Sequence, residues 1–263
     1  MIRHSDRKCL GTLRLALVAI LASTAAGIAH AQMPSGGPPG WNAAMTKLFG
    51  DVKAFSAKAE MRALDKSGRP AIQVPMNYAL LDKKVRIDID MTQLKGPNAS
   101  PDQVALLKQM AMDRVACIVT LDRKAMQLIF PSLGAYVESP LPEDEAVALD
   151  KDLKLQKTPM GKETLDGHPC VKNRVTMTDA KGQQSEAVVW NATDLREFPL
   201  QMQMKDKETT VVMRYTEVHL SKPDAKQFDA PSGFTKHPDM QQLMISLAEK
   251  QQPKGGERGK KPK

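Results

Sequence analysis

Three cysteines in 263 residues are too few for a disulfide-built miniprotein, and 16 glycines are too few for collagen. Aromatic residues number eleven, two Trp, three Tyr and six Phe, which leaves little surface for stacking nucleic-acid bases. Catalytic and metal templates are missing too. There is no H-x-x-x-H or C-x-x-C spacing, no G-x-S-x-G nucleophile elbow, no phosphate-cradling glycine loop and no S-x-x-K pair. Beyond residue 31 the histidines are His168, His219 and His237, none placed to share a zinc ion. No enzyme, metal or cofactor is expected from this set. Long apolar runs are absent beyond the amino terminus, so no membrane-spanning segment is expected after it.

The net charge of +8 is unevenly spread. Residues 1–31 hold +3, residues 250–263 hold +5, and residues 32–249 balance 28 basic against 28 acidic side chains. A nucleic-acid-binding domain would gather cations on its folded face, so no nucleic-acid partner is expected.

What is present begins with an export signal. Arg3, Arg7, Lys8 and Arg14 precede an apolar run from Leu15 to Ile28. Ala29-His30-Ala31 then places small residues at −3 and −1 of a signal-peptidase site, predicting cleavage after Ala31 and a periplasmic mature chain. The run is shorter than the roughly 20 residues a span needs. Cleavage removes Cys9 and leaves Cys117 and Cys170, which permit one disulfide or two buried thiols.

Residues 32–41 read as a Pro/Gly linker, and residues 42–249 as one domain. Asn42 stands as the N-cap of a helix over 42–50, with Met45, Leu48 and Phe49 on one face. The period then falls to two. Val85, Ile87, Ile89 and Met91 alternate with Arg86, Asp88 and Asp90, and Val115, Cys117, Val119 and Leu121 repeat the pattern. Similar alternation marks Met126 to Phe130, Val171 to Met177 and Leu200 to Met204. Turn residues separate the runs, Asp166-Gly167 most clearly. Pro75 demotes its strand to an edge or marks a bulge. About eleven strands result, most joined closely enough for antiparallel pairing. Short helices are expected over 101–111, with Pro101 at N1, over 240–248, and in an acidic turn over 143–150. Residues 250–263 are Pro/Gly/Lys-rich and expected to be disordered. A sheet with one apolar face must cover it. A sandwich and a curved sheet wrapped on helices both satisfy this.

Asp88 and Asp90 share a strand face, but their alternation with Ile87 and Ile89 makes that face a solvated exterior rather than a carboxylate pair. His168 reads as a turn residue. Methionine is abundant, with 16 residues. Met110/Met112 and Met202/Met204 form M-x-M pairs, and a copper(I) site is less favoured than an adaptable apolar lining.

Four segments carry a resemblance. They are Leu81-Asp82-Lys83-Lys84-Val85-Arg86-Ile87-Asp88, Gly161-Lys162-Glu163-Thr164-Leu165-Asp166-Gly167-His168-Pro169-Cys170, Val189-Trp190-Asn191-Ala192-Thr193-Asp194-Leu195 with Phe198-Pro199, and Phe228-Asp229-Ala230-Pro231-Ser232-Gly233-Phe234. Together they resemble an uncharacterised family of exported bacterial proteins, itself similar to the outer-membrane lipoprotein carrier (LolA/LolB-like) superfamily. The resemblance implies a mainly β fold, an incomplete antiparallel half-barrel with an apolar concave face closed by short helices. It implies a partner that is a lipid acyl chain or a lipoprotein, and an early-strand arginine, here Arg86, that helps hold a lid. Alternation points Arg86 outward.

Strand phase then sets the expected cavity wall: Val85, Ile87, Ile89, Met91, Val115, Cys117, Val119, Met202 and Met204. The helices over 101–111 and 240–248 are the expected plugs. The expected function is a non-enzymatic periplasmic lipid or lipoprotein binder in envelope biogenesis. The alternative is a protein-interaction module whose half-barrel is plugged by its own helices and takes no lipid. The basic tail is expected either to be solvated chain or to touch anionic membrane.

Overall fold

In a computed structural model, residues 43–150, 154–178, 182, 184–206 and 209–251 are described. The expected leader, linker, Asn42 and residues 252–263 of the basic tail lie outside them; Lys250 and Gln251, expected in that tail, instead continue the last helix, Met240–Gln251. Twelve strands form one sheet: β1 (Ala54–Leu64), β2 (Pro70–Leu81), β3 (Lys84–Asp90), β4 (Arg114–Thr120), β5 (Ala125–Phe130), β6 (Ala135–Pro140), β7 (Lys154–Leu165), β8 (His168–Thr178), β9 (Gln184–Ala192), β10 (Phe198–Asp206), β11 (Thr209–His219) and β12 (Thr235–His237). Their order across the sheet is β12-β6-β5-β4-β3-β2-β1-β11-β10-β9-β8-β7. Every pairing is antiparallel except β12 on β6. The sheet is curved and open, as the half-barrel expectation required, with one strand more than expected. That strand, β12, has three residues and no alternation to announce it.

Among the described residues four α-helices accompany the sheet: α1 (Ala43–Leu48), α2 (Pro101–Gln109), α3 (Glu143–Asp150) and α4 (Met240–Gln251). Pro101 sits at the start of α2, where its missing N–H costs nothing. The Asp239 carboxylate accepts from Gln242 N at 2.7 Å and caps α4.

Alternation works as expected along β3 but not along β4, where Ala116 and Ile118 on the opposite face are also buried, against Ile129, Tyr136 and Phe234. On β3, Val85, Ile87 and Ile89 are buried while the residues between them are half-exposed. Turn residues carry the left-handed conformations that tight connections need, Asp82 at φ 53° and Asp166 at φ 50°. Pro75 behaves as an edge residue although β2 is central. The last β2–β3 pair is Met76 with Ile89, so the pairing of β2 with β3 has already ended at Pro75 and no donor is needed there.

The short twelfth strand is pinned through its side chains. Gln127 Nε2 donates to Glu138 at 2.6 Å, and Lys236 donates to the same carboxylate at 2.9 Å. The hydrogen bond from Gln127, then that from Lys236, holds the Glu138 carboxyl below its ordinary range. A lowered folded-state pKa gives stability that is present above the unfolded carboxylate pKa and is lost as pH falls through the folded value. The resonances of Thr235, Lys236 and His237 should therefore shift together in an acid titration, at lower pH than a free glutamate titrates. In Glu138→Gln that acid transition should be absent.

Candidate functional site

The concave face is the candidate site, and its centre is aromatic. Phe55 on β1, Tyr78 on β2, Phe198 on β10 and Tyr215 on β11 are buried with ring centroids 4.8–6.1 Å apart. Phe49, just past α1, lies among all four, at 4.9 Å from Phe55, 5.7 Å from Phe198, 5.8 Å from Tyr215 and 6.0 Å from Tyr78. Such tilted and edge-on pairs stabilise beyond the area they bury. Burial pushes the Tyr78 and Tyr215 hydroxyls above their ordinary range, so both stay neutral at this centre.

One carboxylate holds α1 in place. Glu145 on α3 is buried and accepts from Ala43 N, the first residue of α1, at 2.7 Å. An acid at this position satisfies an orphan helix donor and complements the positive helix end. A helix therefore forms within the expected 42–50 stretch, over Ala43–Leu48, and a side chain a hundred residues away caps it. No local sequence signal marks such a partner.

Six of the nine expected wall residues are fully buried in the main core: Val85, Ile87, Ile89, Cys117, Val119 and Met202. Met91 and Met204 pack against that core and are partly exposed. Met91 lies outside the strand, because Asp90 ends β3 by accepting from Thr92 N at 2.9 Å and starting a single 3-10 turn. Val115 belongs instead to a second cluster with Met112, Phe130, Ala135, Val137 and Leu243. The wall thus divides between two clusters that share Leu128.

The helices divide likewise. The expected plugs, α2 and α4, cover the second cluster through Leu107, Met240, Met244 and Leu247. No residue of α2 is fully buried. The main core is covered by α1, with Ala43, Met45, Leu48 and Phe49 buried in it, and by α3. The spacing of Met45, Leu48 and Phe49 carried this signal, since their apolar face had to be buried somewhere.

The two cysteines among the described residues, Cys117 and Cys170, are free and buried. Cys117 is on β4, where burial pushes its thiol up. Cys170 is the third residue of β8 and donates weakly to His168 O at 3.4 Å, and burial raises its thiol as well.

Arg86 is neither a concave lid-holder nor a solvated charge. Its Nε and Nη2 donate to Asp88 at 2.8 and 2.6 Å, and Nη1 donates to the Gln227 carbonyl. It pins a 3-10 turn to the convex face, where Phe228 buries itself with Ala79 and Leu81. Beside this turn is a cleft of about 230 Å³ lined by Ser56, Lys58, Asn77, Asp88, Glu217 and His219 among others. Its charges pair off, Lys58 with Glu217 at 2.8 Å and Asp88 with Arg86. His168 Nδ1 lies 2.7 Å from Asp194, which ties a β-turn to the strand connection after β9. Among the described residues no group of three or more His, Cys, Asp or Glu is placed to hold a metal, and no helix is long and apolar enough to cross a membrane.

No protein-family model and no curated protein matches this chain. Solved structures similar to it include lipoprotein LppX of Mycobacterium tuberculosis, 10% identical, covering 67% of this chain and 93% of that one with TM-score 0.38. A LolA superfamily protein from Nitrosomonas europaea is 10% identical over 72% of this chain and 98% of its own, with TM-score 0.34. LprF of Mycobacterium bovis is 12% identical, with coverages of 68% and 95% and TM-score 0.33. At these scores the functional reading rests on this chain's own residues.

Removing the ring at the centre should be costly. Phe49→Ala should lower unfolding stability by about 3–5 kcal/mol, as expected for a large buried side chain. Equilibrium denaturation measures it, and a loss below about 1 kcal/mol would place Phe49 at the surface of the core instead.

Proposed function

We propose that this chain is a non-enzymatic periplasmic binder of a lipid acyl chain or a lipidated protein, acting in envelope biogenesis after removal of residues 1–31. The supporting observation is how the main apolar face is covered. A six-residue helix, α1, lays Phe49 into the aromatic ring cluster and is capped by one carboxylate from α3. A helix this short has almost no stability of its own. It stays because the sheet packs it, so another apolar body offering the same contacts can replace it.

The magnitudes favour exchange. Lifting Phe49 out costs about 3–5 kcal/mol. An acyl chain gains ~0.8 kcal/mol per buried methylene, so a dozen methylenes outweigh that cost about twofold. The methionines of the lining, Met61, Met76, Met202 and Met213 among them, adapt to a guest of irregular shape. The alternative, an interaction module with a self-plugged half-barrel, is favoured by how completely the interior is filled, with Val85, Ile87 and Val119 at 0% exposure. The basic segment over 250–263 would add reversible contact with anionic lipid, at ~1 kcal/mol per cation near the surface.

Native mass spectrometry of protein taken from the periplasm, paired with hydrogen exchange on loading with palmitate, separates the two. Binding predicts a co-purifying lipid mass and faster exchange over residues 43–49 when palmitate is added. A clean apo mass with unchanged exchange there leaves the interaction module. Ile89→Asp, placed on the wall, should weaken palmitate binding if the mutant still folds. Sedimentation with anionic vesicles, with and without residues 251–263, tests the tail: equal binding removes it from the account.

A further inference from the structure

The two margins of the sheet are built differently. At one, β6 is covered by the short β12. At the other, β7 runs for twelve residues with nothing beyond it among the described residues. Eleven of those twelve residues are exposed and the last is half-exposed, so neither face of the strand is covered. Two apolar side chains stand in solvent there, Leu155 at 37% and Met160 at 46%. A margin of this length offers a row of unused backbone donors and acceptors to an incoming strand.

Its charge is one-sided. Lys154, Lys157 and Lys162 make no ion pair among the described residues, and neither does Arg174 on β8, directly opposite Thr158. The single acid of β7, Glu163, is already engaged by Lys172 at 3.0 Å and by the Trp190 indole at 2.8 Å. A second copy of the chain would set these lysines against themselves, which opposes self-pairing. Pro159 and the register shift between Pro159 and Gly161 divide the margin into two short stretches, Lys154 to Thr158 and Gly161 to Leu165. The features that block self-association leave an acidic strand as the complementary guest.

We propose that the β7 margin is a docking site for an extended acidic peptide segment of a partner protein, which adds to the sheet as a strand. Its backbone pairs with Lys154 to Thr158 and, past the bulge, with Gly161 to Leu165. Because successive side chains point to opposite faces, each face of the guest carries both carboxylates, which meet Lys154, Lys157 and Lys162, and apolar side chains, which rest on Leu155 and Met160. The site is separate from the concave face and goes beyond the acyl-chain reading.

The test uses the full mature chain and a capped synthetic peptide of repeated Glu-Glu-Val-Val, which as a strand carries carboxylates and valines on both faces. Hydrogen exchange should slow across residues 154–165 on adding the peptide and stay unchanged over the concave strands. The double variant Lys157→Glu, Lys162→Glu alters only exposed side chains, so it should keep its melting temperature while binding falls about tenfold or more at low salt. A control peptide with proline at alternate valines keeps its charge but cannot pair as a strand, and it should not protect the margin. Absence of protection over 154–165, equal binding by the double variant, or equal protection by the proline peptide would each overturn the proposal. Palmitate loading does not enter this experiment, so its outcome is independent of the acyl-chain reading.

Discussion

The insertion of Phe49 into the ring formed by Phe55, Tyr78, Phe198 and Tyr215 is the contact on which the rest of the structure depends. Those four rings come from β1, β2, β10 and β11, which are neighbours in the sheet but distant in sequence. One side chain just past a six-residue helix therefore joins the first two strands to two that follow residue 197. The buried acceptor Glu145 then ties that helix to α3. A buried carboxylate is costly unless it is hydrogen-bonded, so its placement on the Ala43 amide is a specific constraint and not a solvated accident.

On the convex face the ties are polar. Arg86 holds the turn that seats Phe228, and Lys84 reaches Asp229 at 2.9 Å beside it. Further along, Arg214 on β11 donates to both carboxylate oxygens of Asp166 at 3.1 and 2.8 Å and to Gln201 at 2.9 Å. Asp166 belongs to the β7–β8 turn, three strands away from β11, so this fork draws the far hairpin across the back of the sheet. Bidentate geometry fixes direction as well as distance. The apolar cluster curls the sheet from inside, and these contacts hold the curl from outside.

Much of this was legible in the sequence, for stated physical reasons. Period-two alternation fixed the faces of β3, because one face is dry and the other wet, whereas β4 is buried on both faces and its second dry face, Ala116 and Ile118, was not marked by alternation. Asp-Gly and related turns separated the hairpins correctly. What alternation cannot express is what covers the dry face. The helices over 101–111 and 240–248 have apolar stripes and do cover part of it, yet the central position went to the shorter helix over 42–50. That choice depends on Phe49 matching four rings brought together only by folding. Arg86 was similarly beyond reach: its outward phase was readable, but its carbonyl partner at Gln227 is 141 residues away. The quoted segments acquire a structural meaning here. Glu163 with Trp190, Asp166 with Arg214, His168 with Asp194 and Asp229 with Lys84 are all fastenings of the curved sheet.

Strand number explains why the interior needs helices at all. A closed barrel of about eight strands has a lumen that its own side chains just fill. Twelve strands closed in the same way would leave a lumen too wide for side chains to meet, and an empty apolar void loses its packing contacts. Closure would also require β7, with twelve residues, to pair with β12, which has three. The sheet instead stays open and curls onto α1, α3 and the pair α2 and α4. The filling of such a fold is a separate part from its wall, joined to it by packing and a few caps. In this chain the part seated at the centre of the wall is α1 with Phe49, held by packing and by the Glu145 cap.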